Sequence, residues 1–111
     1  MTPRDRASLE RILLCIAAVD AYVARTGIGW PIDDMTVGAV AKRIEEIGEI
    51  AKRVSPATLA TMPEVDWRGV RGIRDVIAHD YEDVDVEVLA GVVRDDLPGL
   101  QTAIVVMLAA P

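Results

Sequence analysis

Val37-Gly38-Ala39-Val40-Ala41-Lys42-Arg43-Ile44-Glu45-Glu46-Ile47-Gly48-Glu49-Ile50-Ala51-Lys52-Arg53-Val54 is the stretch that decides the fold class. Val37, Val40, Ala41, Ile44, Ile47, Gly48, Ala51 and Val54 recur at helical spacing and form one apolar seam. Lys42, Arg43, Glu45, Glu46, Glu49, Lys52 and Arg53 fill the opposite face. The pattern predicts a helix over about residues 34–54, with Glu49 and Arg53 one turn apart and spaced for an ion pair.

Upstream, Leu9, Ile12, Leu13, Ile16, Val19 and Val23 predict a first helix over about residues 3–25, ended by Gly27 and Gly29. Its apolar surface around residues 12–19 is wider than one buried face needs, which points to packing on two sides, within the subunit and against another. Trp30, in the loop that follows, reads as an anchor pinning that loop to the body. Downstream, Ser55-Pro56 is an N-cap followed by a first-turn proline, opening a short helix over about 56–62 that Pro63 closes. A fourth helix is expected from Asp66 to about His79. The last runs from about Asp85 to Ala109, kinked or split at Pro98-Gly99.

No stretch alternates at strand period for long. Val84, Val86 and Val88 do alternate, but with Asp83, Asp85 and Glu87, which suit an acid-rich first helical turn. The expected fold is all-α, an antiparallel bundle of four to five helices forming a single domain over residues 1–111.

Composition agrees. There is no phenylalanine, so the core is built from Val, Ile, Leu, Ala and Met, which suits packed helices. Cys15 lies within Leu13-Leu14-Cys15-Ile16-Ala17 and reads as a buried thiol. The N-terminus carries no secretion signal and no apolar run approaches bilayer length, so a cytoplasmic protein with no membrane contact is expected. Residues 1–63 balance 8 acids against 8 Lys/Arg, whereas residues 64–96 hold 10 acids against 4 arginines and supply the whole net charge of −6. Such a chain is a poor non-specific binder of nucleic acid, so any contact with RNA must be local.

Arg74-Asp75-Val76-Ile77-Ala78-His79-Asp80-Tyr81 carries the chemistry. It holds the only histidine, the side chain that exchanges protons near neutral pH. A guanidinium offers a forked set of donors to phosphate oxygens. On one continuous helix Val70, Ile73 and Ile77 would face the core, while Arg68, Arg71, Asp75 and His79 would share an arc of roughly 80°. Asp75, four before His79, could fix its tautomer, and Arg71 could pair with Asp75. Arg74 would project roughly 140° away from His79. Either the helix unwinds near Ala78-His79, or the two groups serve a pocket shared with a second subunit. Tyr81 reads as a packing residue or as an exposed hydroxyl open to modification. The plainer reading of the arc is an exposed face laced with ion pairs.

Arg74, four residues, His79, one residue and Tyr81 resemble the Arg-x4-His-x-Tyr motif of the HepT-like toxins, within the HEPN superfamily of small helical ribonucleases. Trp67-Arg68, Val84-Asp85, Asp95-Asp96-Leu97-Pro98 and Arg43-Ile44-Glu45-Glu46-Ile47-Gly48-Glu49 are similar to that family as well, so the resemblance covers roughly residues 5–105. Ile50 stands where the family usually has alanine. The resemblance implies a dimer with its active residues at the interface and metal-independent cleavage of RNA without a cofactor. His79 would act as acid or base, Arg74 would stabilise phosphoryl charge, and Asp75 would orient the site, with Arg68 and Arg71 as possible RNA-phosphate contacts. It further implies a nucleotidyltransferase (MNT-type) antitoxin that transfers AMP to Tyr81, and a homodimer or larger hetero-oligomer with that antitoxin. Because some superfamily members keep the scaffold as a binding module, a non-catalytic partner of a nucleotidyltransferase is the alternative. A third, an acid-rich scaffold that merely dimerises, leaves the Arg-Asp-His-Tyr grouping unexplained.

Overall fold

The computed structural model describes residues 1–78 and 83–111, and His79, Asp80, Tyr81 and Glu82 lie outside the described residues. α1 (Pro3–Thr26) is capped by Thr2, whose hydroxyl accepts from the Asp5 N–H at 3.0 Å, and ends at Gly27, where φ of 87° favours a residue without Cβ. A 3-10 turn (Trp30–Ile32) follows, with Trp30 7% exposed and so the expected anchor of this loop. α2 (Asp34–Ala51) is capped by Asp33, and α3 (Pro56–Leu59) by Ser55. The predicted cap and first-turn proline are therefore present, though α2 and α3 each end about three residues early.

The expected fourth helix is two short ones. α4 (Trp67–Arg71) and α5 (Ile73–Ile77) are separated at Gly72, whose ψ of 15° leaves the helical region. α6 (Val86–Gly91) passes through a π-helical segment (Val92–Asp96) into α7 (Leu97–Ala109). The Leu97 N–H reaches back five residues to the Val92 carbonyl, just ahead of Pro98, which has no N–H to offer an α-helical ladder. The split predicted at Pro98-Gly99 thus occurs over the turn before it.

α1 and α2 form the main helix pair, with α7 also against α1 and with α4 and α5 on the other side of α2. Leu9, Ile12, Ile16 and Val19 of α1, Val40, Ile44, Ile47 and Ala51 of α2, and Leu100, Ile104 and Met107 of α7 are buried together. α1 packs on α2 and α7 within this chain, while Leu14 stays 70% exposed. Among the described residues no helix is long and apolar enough to cross a membrane.

One polar cluster locks the N-terminal end of the bundle. Asp5 is only 3% exposed, and its carboxylate accepts from the Ser55 hydroxyl (2.5 Å), the Thr58 hydroxyl (2.6 Å) and the Ser55 N–H (3.1 Å). These donors, Ser55 first and Thr58 next, hold the Asp5 carboxyl below the ordinary aspartate range against the opposing effect of burial. A carboxyl whose folded pKa lies below its unfolded pKa stabilises fully above the unfolded value, and this is lost as pH falls through the folded value. Asp5→Ala should cost about 2–3 kcal/mol in urea unfolding at neutral pH, because three donors lose their acceptor. The gap between wild type and Asp5→Ala should narrow as pH drops from about 5 toward 2. A gap that stays constant over that range would refute the assignment.

Candidate functional site

α2 is the platform for the candidate site, and the close approach that builds it occurs at Gly48. A Cβ placed on Gly48 would lie 2.8 Å from Ile73 Cγ2 and 3.1 Å from the Val70 carbonyl oxygen. Only a residue without a side chain lets the α4–α5 junction sit this deeply on α2. α4 is fixed from its other end. Asp66 caps it by accepting from the Gly69 N–H at 3.0 Å, and the buried Trp67 donates its indole N–H to the Met62 carbonyl at 3.0 Å. Ile77, 1% exposed, buries the end of α5.

α5 stops at Ile77. Ala78 is extended (φ −70°, ψ 135°) and pairs antiparallel with Val84, and the Asp85 N–H donates to the Ile77 carbonyl at 2.7 Å. The chain on the two sides of residues 79–82 is therefore held at one place, at the end of the helix that bears Arg74. The break at Gly72 and the end at Ile77 also mean that one unbroken helical wheel does not describe residues 67–79. Helical backbone does not continue from Asp75 through Ala78, so neither the one-turn spacing of Asp75 and His79 nor the roughly 140° separation of Arg74 and His79 follows from a regular helix.

Arg68, Arg71, Arg74 and Asp75 are all exposed. Arg74 lines a groove of about 330 Å³ together with Arg11 of α1 and with Lys42, Glu45, Glu46, Glu49, Ile50 and Arg53. Arg71 instead lines a separate surface with Lys52, Pro56 and Trp67. Arg71 and Arg74 thus serve different surfaces. Among the described residues the Asp75 carboxylate has no hydrogen bond or ion pair, so the expected pairing with Arg71 is not made. His79 and Tyr81, the other two members of the motif, lie outside the described residues, as do Asp80 and Glu82 of the acidic flank.

Two of the groove's carboxylates are engaged. Glu49 accepts from Lys52 at 2.9 Å, in place of the expected Arg53 pairing, and Glu46 is reached by Arg43 at 3.5 Å. The Lys52 hydrogen bond, then its charge, lower the Glu49 carboxyl below the usual range, with Arg74 and Arg53 adding smaller contributions. Arg43 is itself oriented by the Tyr22 hydroxyl, to which its Nε–H donates at 3.2 Å. Below this layer Cys15 is buried, with Sγ 3.6 Å from Glu46 Oε2. Burial first, and the nearby Glu46 charge second, push its thiol up, which suits an inert core group. Among the described residues no three His, Cys, Asp or Glu side chains converge as metal ligands would.

Sequence reasoning missed Arg11, Lys42 and Arg53 as neighbours of Arg74. Lys42 and Arg53 were legible as the polar face of α2, but which helix would lie beside that face was not.

A family model described as "Ribonuclease HepT-like" matches residues 12–107, spanning α1 to α7. The chain belongs to the HepT-like family. Among curated proteins it is 38% identical over 69 residues to "Probable ribonuclease HepT" of Thermococcus cleftensis, covering 62% of this chain and 63% of that one. Two Methanocaldococcus jannaschii proteins, provisionally named as RNases, are 30% identical over 66 residues and 29% identical over 63 residues. The first covers 60% of this chain and 54% of its own length, the second 57% and 58%. The chain thus spans between half and two thirds of these relatives. No solved structure matches it.

The HepT-like scaffold gives Gly48 a testable role. Gly48→Ala adds helix propensity worth about 1 kcal/mol but, because a backbone carbonyl and a stiff β-branched side chain must yield, forces the α4–α5 junction off α2 at a cost of about 2–3 kcal/mol. Net destabilisation by about 1 kcal/mol or more is expected, read as a fall in melting temperature of roughly 4 °C. An unchanged or raised melting temperature would show that the approach is not tight.

Proposed function

We propose that this chain is the toxin of a toxin–antitoxin pair, a metal-independent endoribonuclease whose working groups are Arg74 and His79. The observation that carries the reading is the state of Arg74. In a chain of net charge −6, its guanidinium is exposed, lines a groove and has no partner among the described residues. A guanidinium so left is ready for phosphate oxygens. Family membership over residues 12–107 and relatives named as ribonucleases supply the class of reaction.

The chemistry needs few groups. His79 removes the proton from a ribose 2′-hydroxyl, and the 2′-oxygen bonds to the adjacent phosphorus as the bond from phosphorus to the 5′-oxygen breaks. The leaving 5′-oxygen takes a proton, from the same imidazole after its uptake or from a second copy, and a 2′,3′-cyclic phosphate remains. Arg74 stabilises the charge that builds on the non-bridging oxygens. Asp75 orients the imidazole, and Arg68 and Arg71 hold flanking phosphates. Two copies of the chain bring two sets of these groups to one cleft in the cytoplasm. A nucleotidyltransferase antitoxin places AMP on Tyr81, two residues from His79, where added negative charge repels RNA.

Arg74→Ala and His79→Ala should each slow RNA cleavage by at least about 100-fold with the helical content and melting temperature kept. The wild-type rate should persist in a chelator. Cleavage retained by either folded variant would sink the mechanism. In mass spectrometry with ATP and the nucleotidyltransferase, wild type should gain one adenylate and Tyr81→Phe none. The density of acid in residues 64–96 favours a second reading, a non-catalytic module that accepts AMP without cutting RNA. Adenylation of a dimer that cleaves nothing would decide for it.

A further inference from the structure

The groove beside Arg74 holds an excess of free positive charge that the rest of the molecule does not predict. Arg11, Lys42, Arg53 and Arg74 all line it, come from three separate segments and are exposed. Among the described residues none of these four has an ion-pair or hydrogen-bond partner. Of the three carboxylates present, Glu46 and Glu49 are taken by Arg43 and Lys52, which are further cations at the same surface. Only Glu45 opposes the four. The local balance is thus positive in a chain of net charge −6. The track is also long, since α2 rises about 14 Å between Lys42 and its end at Ala51, beside Arg53. Several phosphates of a single strand span that distance, whereas one free anion would need a single focus.

We infer that this groove along α2, lined also by Arg11 of α1 and Arg74 of α5, is the path of the RNA strand to Arg74, with Arg11, Lys42 and Arg53 as phosphate-binding residues that position the strand without touching the reacting atoms. The inference rests on the nuclease reading above and adds to it where the substrate runs. It also answers the charge objection, because a contact confined to one basic track needs no positive molecule. An acidic polypeptide could use the same cations, but it would not need the track to include the arginine assigned to the scissile phosphate.

The test uses full-length protein and a single-stranded RNA oligonucleotide with 2′-deoxy sugars, which cannot be cut by 2′-hydroxyl attack. Binding is followed by fluorescence anisotropy across a sodium chloride series. The triple variant Arg11→Gln, Lys42→Gln, Arg53→Gln should weaken binding at least roughly tenfold and reduce the slope of log affinity against log salt by about 2, about 0.7 for each lost contact. Its melting temperature should hold, as these exposed side chains make no hydrogen bond or ion pair among the described residues. Glu45→Gln should tighten binding, and Arg25→Gln, about 21 Å further along α1, should change nothing. A cleavable RNA should show the triple variant's loss in KM, with kcat kept at saturation.

Unchanged affinity and slope in the triple variant, with wild type still cutting RNA, overturns the groove as the path and leaves the nuclease reading standing. Wild type that neither binds nor cuts overturns both. Displacement of RNA by polyglutamate at equal charge concentration overturns the assignment in favour of a surface for acidic polypeptides.

Discussion

The contact between Gly48 and the α4–α5 junction is the constraint on which the rest of the site depends. Helix axes normally stand apart by the depth of two side chains, and deleting one side chain lets Val70 and Ile73 settle onto α2. That approach places Arg74 within electrostatic reach of Glu49 and beside the polar face of α2. A bulkier residue at position 48 would keep the same helices and the same core but lift the arginine away from the groove. The glycine therefore does its work through position, by deciding how near a charge on one helix lies to charges on another.

Charge is arranged to keep Arg74 available. In an acid-rich chain the easiest fate for an exposed arginine is a carboxylate partner, and such a pair would compete with phosphate. Here Lys52 and Arg43 occupy Glu49 and Glu46, two of the three acids that line the groove. Each of these exposed pairs contributes little stability. Their consequence is electrostatic: they convert a face of mixed sign into one with a net positive strip. The buried Asp5 cluster shows the opposite use of charge, where a carboxylate receives three donors and binds the start of α1 to the start of α3.

Much of the fold was legible because it is local. The seam of α2, the cap at Ser55, the anchor at Trp30 and the disruption near Pro98 each follow from residues within one or two helical turns. What escaped was tertiary or depended on a small local balance. Asp5 and Ser55 are 50 positions apart, and nothing in either segment names the other. The interruption at Gly72 was hidden because flanking residues keep helical spacing; the glycine lies between Val70 and Ile73, the two residues that pack on Gly48 of α2. The motif arginine was found by its spacing to His79 and Tyr81, yet its true neighbours, Arg11, Lys42 and Arg53, come from helices far away in sequence. A helical wheel grouped Arg68 and Arg71 with Asp75 and His79, but it compares residues on one helix and is blind to the next.

Activity on this view needs a guanidinium held free within a basic track until phosphate arrives. The most direct measurement is the NMR resonance of the Arg74 side-chain Nε–H, assigned by its disappearance in Arg74→Lys, during titration with the 2′-deoxy RNA. A large shift with slowed solvent exchange, saturating together with RNA binding, is the predicted result. RNA that binds while the Arg74 resonance stays where it was would contradict the account.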